Sequence, residues 1–240
     1  MQRLSYCVLI LGLSGAAAGC ADTGDEGIVI RHNLVPAEGC ALTPGGMFTS
    51  RGTIELDSPN PYVLTPEIES RITAAEGQFS QRTIALRGAR VDVEVASLTV
   101  DNVSAPVPTL TNTSFTSLFS ASLEPQGTTA ASFDAVSATL LGELASKVTA
   151  TGNVRIQLVA TVKVYGDLGG SEIESVPFVY PVTVCTNCVT TNLGACPLPV
   201  GTVPRGGNPC NVFQDGNVDC CLDASGNKVC PGVVETPAAL

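Results

Sequence analysis

The chain has 240 residues, a net charge of -10, ten cysteines and one histidine. Twelve basic residues against 22 acidic ones leave no cationic surface that could neutralise phosphates, so we exclude DNA and RNA as partners. Only 14% of the residues are charged, and this low fraction favours a mainly β fold over a set of charged helices.

The N-terminal segment has the order of residues found in a secretory signal. Arg3 precedes an uncharged apolar run from Tyr6 to Ala18, which is shorter than the ~20 residues that a membrane-spanning helix needs. The run ends in Ala17-Ala18-Gly19-Cys20, which resembles the lipobox of bacterial lipoproteins. This resemblance implies a signal peptide over 1–19, a lipid on the sulfur of Cys20, and a lipidated tether over 20–26.

The same segment leaves an alternative for the cysteine. An ordinary signal cut after Ala18 would leave Cys20 as a plain thiol. Lipidation instead removes Cys20 from the thiol count, and cleavage of the signal peptide removes Cys7. Eight of the ten cysteines then remain, which is an even number that can pair completely. By the sorting rule of enterobacterial lipoproteins, Ala21 in second place implies export to the outer membrane.

Residues 27–188 are predicted to form an antiparallel β-sandwich. Strands are expected at Gly27–Leu34, at Met47–Leu56 and along Arg82–Val100, with a bulge at Gly88. Val154–Tyr165 alternates apolar and polar residues and turns back into Glu172–Cys185. Pro177 and Pro181 cannot donate to a ladder of backbone hydrogen bonds, so the latter strand is expected at a sheet edge.

One segment has helical instead of strand periodicity. From Phe133 to Val148 the apolar residues recur mostly at spacings of three and four, which predicts an amphipathic helix over about 133–148 that covers a hydrophobic face. Ser132 or Asp134 can cap its start, and Gly152-Asn153 ends it.

The segment 189–240 is predicted to be an irregular tail that needs disulfides, because it has little apolar content and no readable long strand. Seven cysteines from Cys185 onward form an odd set, so Cys40 is expected to bond to one of them. We expect Cys185 or Cys188 as its partner, because the tail begins where the edge strand ends. The other pairings stay open. The predicted disulfide cysteines are Cys40, Cys185, Cys188, Cys196, Cys210, Cys220, Cys221 and Cys230.

The cysteine pattern does not predict a metal or a cofactor. Cys185 and Cys188 form a CxxC, but a zinc ribbon needs a second CxxC, and haem attachment needs histidine where Val189 stands. The segment from Asp215 to Asp219 has the oxygen spacing that opens a calcium loop. Since later positions of that motif fail, we expect a turn with solvated acids.

Catalytic constellations are also missing from the sequence. His32 is expected to be an ordinary surface or edge residue, since no serine elbow accompanies it. Three carboxylate pairs share strand faces, and solvated sheet faces explain them, although a glycoside hydrolase could use such a pair in a cleft. The pairs are Glu67 with Glu69, Asp92 with Glu94, and Glu172 with Glu174.

The lipobox, the body ending "PVTVCTNC" and the tail "PCNVFQDGNVDCCLDASGNKVC" together resemble the cysteine-rich lipoproteins of myxobacterial and related genomes. That group carries no assigned activity, so the resemblance implies a place in the cell envelope. We expect a non-enzymatic lipoprotein, anchored in the outer membrane and facing the periplasm or the surface, with a structural or binding role toward an envelope protein or polysaccharide. The alternative is an extracytoplasmic hydrolase that uses a carboxylate pair.

Overall fold

The computed structural model describes residues 27–73, 82–149 and 152–234. Within these ranges the chain is mainly β with a single α-helix, which confirms the predicted fold class. The predicted signal peptide, Cys20 and the tether over 20–26 lie outside the described residues. No helix in the described ranges is both long and apolar enough to cross a membrane.

The described elements run in this order along the chain. The strands of the first half are β1 (Ile28–Leu34), β2 (Phe48–Thr49), β3 (Gly52–Glu55), β4 (Tyr62–Leu64), β5 (Pro66–Ser70), β6 (Ile84–Val100), β7 (Val103–Ser104) and β8 (Ser114–Leu123). Those of the second half are β9 (Thr128–Ala130), β10 (Phe133–Val136), β11 (Val154–Leu168), β12 (Ser171–Glu174), β13 (Phe178–Cys185), β14 (Thr190–Ala195), β15 (Val218–Leu222) and β16 (Lys228–Val229). A short 3-10 helix lies at Glu38–Cys40, and the α-helix α1 at Ala138–Lys147.

The largest sheet is organised around the long antiparallel pair β6 and β11. Its order is β3-β13-β11-β6, and β8 pairs with β6 on the side away from β11. Every second residue of β11 from Val154 to Val164 is buried, because alternate side chains of a strand point to the same face. The register of β6 shifts beside Gly88, as predicted, and a side chain there would lie 2.7 Å from the carbonyl oxygen of Ser117.

A second layer closes the core. It consists of the sheet β2-β1-β5-β9 and the two-stranded pair β10-β4. Buried side chains of both layers form one hydrophobic cluster, into which α1 packs Leu140, Leu141 and Leu144. The segment predicted as one strand over Met47–Leu56 is divided between the layers, since β2 pairs with β1 while β3 pairs with β13.

The helix begins later than its periodicity predicts. Residues Phe133–Val136 form β10, which pairs with β4, and the helix starts at Ala138. Phe133, Ala135 and Val136 are all buried in this strand, so the pairing satisfies both the backbone and the apolar side chains. Ser137, instead of Ser132 or Asp134, caps the helix, because its hydroxyl accepts a hydrogen bond from the backbone N–H of Leu140 at 3.1 Å.

The predicted edge strand is an edge over only part of its length. Residues Val182–Cys185 of β13 pair in parallel with β3, so that this half lies inside the sheet. Pro181 stands just before this pairing begins, where the missing N–H leaves no hydrogen bond unmade on the outer side. A second parallel pair joins β14 to β15 in the tail, so the fold is not purely antiparallel.

The tail is more regular than predicted. Strands β14, β15 and β16 form a three-stranded sheet, stapled by the Cys196–Cys221 and Cys220–Cys230 disulfides. Parity correctly places the partner of Cys40 in the tail, but the expected partner is wrong: Cys40 bonds to Cys210. Cys185 and Cys188 bond to each other, because the chain turns directly after β13 and brings their Cα atoms within 5.8 Å.

Candidate functional site

A polar cleft of about 490 Å³ lies where the tail meets the sandwich. Its walls come from the end of β1 and the residues after it, from the segment between β2 and β3, and from the tail loop before β15. Neutral polar side chains are the largest group in the lining, which also contains the apolar residues Leu34, Val35, Pro36 and Val189. The amides are Asn33, Asn208, Gln214 and Asn217; the hydroxyls are Thr49, Thr53 and Thr65; the charged residues are Arg51 and Asp215.

A chain of hydrogen bonds between side chains runs beneath the cleft. The Asn33 amide donates to the hydroxyl of Tyr180 at 3.0 Å, and the hydroxyls of Tyr180 and Tyr62 lie 3.2 Å apart. The Tyr62 hydroxyl donates to Oδ2 of Asp215 at 2.6 Å. Because each hydroxyl has one proton, Tyr180 must donate to Tyr62, so every donor in the chain points toward the carboxylate.

Asp215 is held in place by its backbone and its neighbours. The N–H of Thr53 donates to Oδ1 at 2.6 Å, and the Gln214 amide donates to Oδ2 at 3.3 Å. Its φ of 51° lies in the left-handed region, which aspartate tolerates better than most residues. Although the residue is exposed at the rim of the cleft, its carboxylate points inward toward Tyr62.

Burial raises the pKa of both partners in the last hydrogen bond of this chain, Tyr62 and Asp215. Burial raises the pKa of the Asp215 carboxyl above its ordinary value, despite the hydrogen bonds from Tyr62, Thr53 and Gln214 that lower it. Burial also raises the pKa of the Tyr62 hydroxyl, and the charge of Asp215 raises it further. The Tyr62 hydroxyl therefore keeps its proton at neutral pH, while the Asp215 carboxyl takes up a proton more readily than an aspartate whose carboxylate is surrounded by water.

The tail loop is bonded to the sandwich by side chains that replace strand partners. The Gln214 amide group accepts from the N–H of Val63 at 2.9 Å and donates to the carbonyl of the same residue at 2.7 Å. The Asn211 amide donates to the carbonyl of Pro61 at 2.8 Å. These bonds give β4 the pairing that a neighbouring strand would otherwise supply, and they position Asp215.

A buried carboxylate holds the other wall. Glu55, at the end of β3, accepts hydrogen bonds from the backbone N–H groups of Val189 at 3.0 Å, of Thr190 at 3.2 Å and of Asn187. The residue is fully buried. These bonds fix the start of the tail to the main sheet beside Cys188, which lines the cleft.

The acids of the predicted turn have bonding partners within the fold, and Asp219 is buried, whereas a turn with solvated acids was expected. Asp215 belongs to the network beneath the cleft, and Asp219 is buried against Arg205. The Arg205 guanidinium donates through Nε to both oxygens of Asp219 at 3.0 Å, and these bonds hold the pKa of that carboxyl below its usual range. The partners of Asp215 lie more than 150 residues away in the sequence. These tertiary contacts, and not the local turn, decide where its carboxylate points.

The predicted carboxylate pairs lie elsewhere and have partners of their own. Glu69 pairs with Arg31 at 2.5 Å, and Glu67 accepts from the N–H of Gly45. Glu172 pairs with Arg90 at 2.7 Å, and Glu174 contacts the same guanidinium. Asp92 accepts from the hydroxyl of Ser114 at 2.6 Å, while Glu94 is exposed. None of these six described residues lines the polar cleft.

His32 is half-buried in β1 next to an acid. Its Nε2 lies 3.7 Å from Oε2 of Glu67 and has no hydrogen-bond partner among the described residues, and its ring packs on Phe48 with centroids 4.7 Å apart. In the described part of the chain no three His, Cys, Asp or Glu side chains come together as a metal site.

The residues of the cleft carry no sequence signal that would have joined them. Asn33, Tyr62, Tyr180 and Asp215 are spread over most of the chain and belong to no motif. Asp215 and Asn217, which both line the cleft, stand in the calcium-loop pattern that the sequence does not complete, and this pattern was the one local hint.

The chain matches no protein-family model, and comparisons with curated proteins and with solved structures find no match.

Proposed function

We propose that this chain is a non-enzymatic lipoprotein of the bacterial envelope, anchored through Cys20, whose folded part binds an envelope polysaccharide in the polar cleft. The observation that carries the proposal is the lining of the cleft. Four amides and three hydroxyls converge there with a single acid and a single arginine among the described residues.

This lining matches the chemistry of sugar hydroxyls. Each sugar hydroxyl donates one hydrogen bond and accepts others. The Asn33 and Gln214 amides are bonded within the chain and shape the cleft. The groups offered to a sugar are the side chains of Arg51, Thr53, Asn208 and Asn217, which together donate and accept. A strongly charged ligand would require an excess of one charge, whereas the cleft offers one of each sign. The bonds beneath it, from Asn33 to Asp215, pre-organise the polar groups, which lowers the entropic cost of binding.

Binding is tested with the full-length protein purified in detergent and sedimented with insoluble envelope polysaccharide from a Gram-negative cell. Arg51→Ala and Asn217→Ala remove polar groups that line the cleft and are exposed. We expect each variant to lower the bound fraction several-fold. The matched controls Arg155→Ala and Asn60→Ala change exposed residues outside the lining and should bind like wild type. Equal sedimentation of all five proteins would refute the cleft as the site.

The anchor has a separate test. Labelled palmitate fed to expressing cells should enter the wild-type protein and be absent from Cys20→Ala. If both proteins carry the label equally, the lipid is not on Cys20.

The second candidate, an extracytoplasmic hydrolase, draws support from the raised pKa of Asp215 in the cleft. Glycoside hydrolysis ordinarily uses two carboxylates on either side of the bond, and Asp215 is the one carboxylate that the described lining contains. Release of new reducing ends from the sedimented polysaccharide by wild type, but not by Asp215→Asn, would replace the binding role with this one.

A further inference from the structure

Strand β8 leaves one edge of the main sheet open. It pairs with β6 along its whole length, and in the described ranges no other strand forms a backbone-to-backbone hydrogen bond with it. A bond from β10 runs from the N–H of Asp134 to the side-chain hydroxyl of Ser117, on the core side of the strand. Over Ser114–Leu123 the sequence contains neither a charged residue nor a proline. Natural edge strands usually carry one of these, because an unprotected edge is a template for pairing with another strand.

The backbone groups that face this edge can be identified from the ladder. The carbonyl of Thr113 accepts from the N–H of Val93 in β6. Since successive residues of a strand direct their N–H and C=O groups to opposite sides, the even-numbered residues 114 to 122 point theirs away from β6. Their side chains also share one face, which is exposed at every one of these positions.

The exposed face of β8 is symmetric about its centre. Leu118 is 77% exposed and is flanked by hydroxyl residues on both sides, Thr116 and Ser114 before it and Ser120 and Ser122 after it. In an antiparallel pair centred on Leu118, leucine faces leucine and hydroxyl faces hydroxyl. The surface is thus complementary to its own copy, which is what a two-fold interface requires.

We propose that two copies of the chain pair through β8, antiparallel across a two-fold axis at Leu118, so that their main sheets become one continuous sheet. Five facing residue pairs would form about ten backbone hydrogen bonds, two for each pair. The chain carries a net charge of -10, and β8 is a stretch where two such chains can meet without placing like charges opposite each other.

The core side of β8 gives the same register a further contact. Phe115 and Phe119 are only half-buried at this edge. With Leu118 on the axis, Phe115 faces Ala121 of the second copy and Phe119 faces its Ser117. Small residues thus stand opposite the two rings, so the paired strand can cover them without a clash.

Cysteine cross-linking in cells that express the full chain tests the register. Directly opposite residues have Cα atoms about 5.5 Å apart, within the range of a disulfide. Leu118→Cys alone should give a disulfide-linked dimer under mild oxidation. Thr116→Cys alone should not, whereas Thr116→Cys expressed together with Ser120→Cys should. Val203→Cys, an 89% exposed position in the tail, is the control for random collision.

A charge at the centre of the edge is the complementary test. Leu118→Lys places two lysines opposite each other on the axis and should abolish cross-linking of the Thr116→Cys and Ser120→Cys pair, while Val203→Lys should leave it intact. Cross-linking of Leu118→Cys no stronger than that of Val203→Cys, or a Leu118→Cys product with a different protein, overturns the proposal. Because both residues are exposed, the lysine variants should fold, and their resistance to protease verifies this.

Discussion

The Cys40–Cys210 disulfide should be the strongest single covalent restraint on stability. We consider the double variant Cys40→Ser with Cys210→Ser, which removes this bond and leaves the other three in place. Both residues are exposed, so serine leaves no buried cavity behind. The change therefore acts by raising the conformational entropy of the unfolded chain, and the loss of stability follows from the length of the loop that the disulfide closes.

The bond spans 170 residues, whereas the other three span 3, 25 and 10. The chain-entropy relation converts a loop of that length into about 5 kcal/mol at 25 °C. Domains are commonly stable by only about 5–15 kcal/mol. We therefore expect a loss of about 3–5 kcal/mol, the lower value allowing for residual structure in the unfolded chain.

Urea unfolding without reductant, followed by far-UV circular dichroism, measures the loss. Ala41→Ser serves as the control, because it changes an exposed neighbour of Cys40 by one hydroxyl and closes no loop. The variant should also bind polysaccharide more weakly, since Cys210 ties the tail wall of the cleft to the sandwich. A loss below about 1 kcal/mol would refute the loop-closure argument.

Three further predictions concern single side chains. Glu55→Ala should lower the free energy of unfolding by about 2–4 kcal/mol, because it leaves three backbone N–H groups without their acceptor; Glu55→Gln, which keeps one acceptor oxygen, should cost less in the same urea titration. Gly52→Ala should lower the free energy of unfolding by about 1–3 kcal/mol, because a Cβ there would overlap the ring of Tyr62. Gly142→Ala in α1, where a Cβ meets open space, should raise it by about 0.5–1 kcal/mol. Equal thermal midpoints for the two variants would contradict the packing argument. Glu143 binds Lys147 and the 111–112 segment, and these contacts lower its pKa to about 2. The resulting stabilisation is complete above the ordinary pKa of 4.5 and is lost as the pH falls through about 2. Glu143→Gln should therefore make the free energy of unfolding depend less on pH between about pH 2 and 5.

The cleft depends on the tail as much as on the sandwich. Gln214 supplies β4 with a substitute strand partner, and Asp215 closes the hydrogen-bond chain that starts at Asn33. The tail is thus part of the proposed binding site, and its disulfides stabilise the wall that carries Asp215. Side-chain bonds to Thr53, to Pro61 and to Asp219 hold the residues around 205–217 in place.

Local pattern was sufficient for the strands and insufficient for the site. The alternation along β11 and the bulge at Gly88 follow from properties of consecutive residues, and both were predictable. The start of α1 was not, because the periodicity of Phe133 and Val136 is compatible with helix and strand alike. Pairing with β4 decided between the two conformations.

The sequence by itself determined the β-rich class, the buried face of β11 and the helical face of α1. With Cys7 and Cys20 assigned to the predicted signal peptide and lipid anchor, it also predicted that Cys40 bonds to the tail. These follow from side-chain periodicity and from parity, which need no knowledge of distant neighbours. Only the tertiary structure decided that the partner is Cys210 and that Asp215 meets Tyr62. It also decided that β8 is left with an open edge. These three features depend on which loops and strands pack side by side. The residues that form a disulfide, a buried hydrogen bond or a strand pair lie far apart in the chain, so local sequence does not specify them.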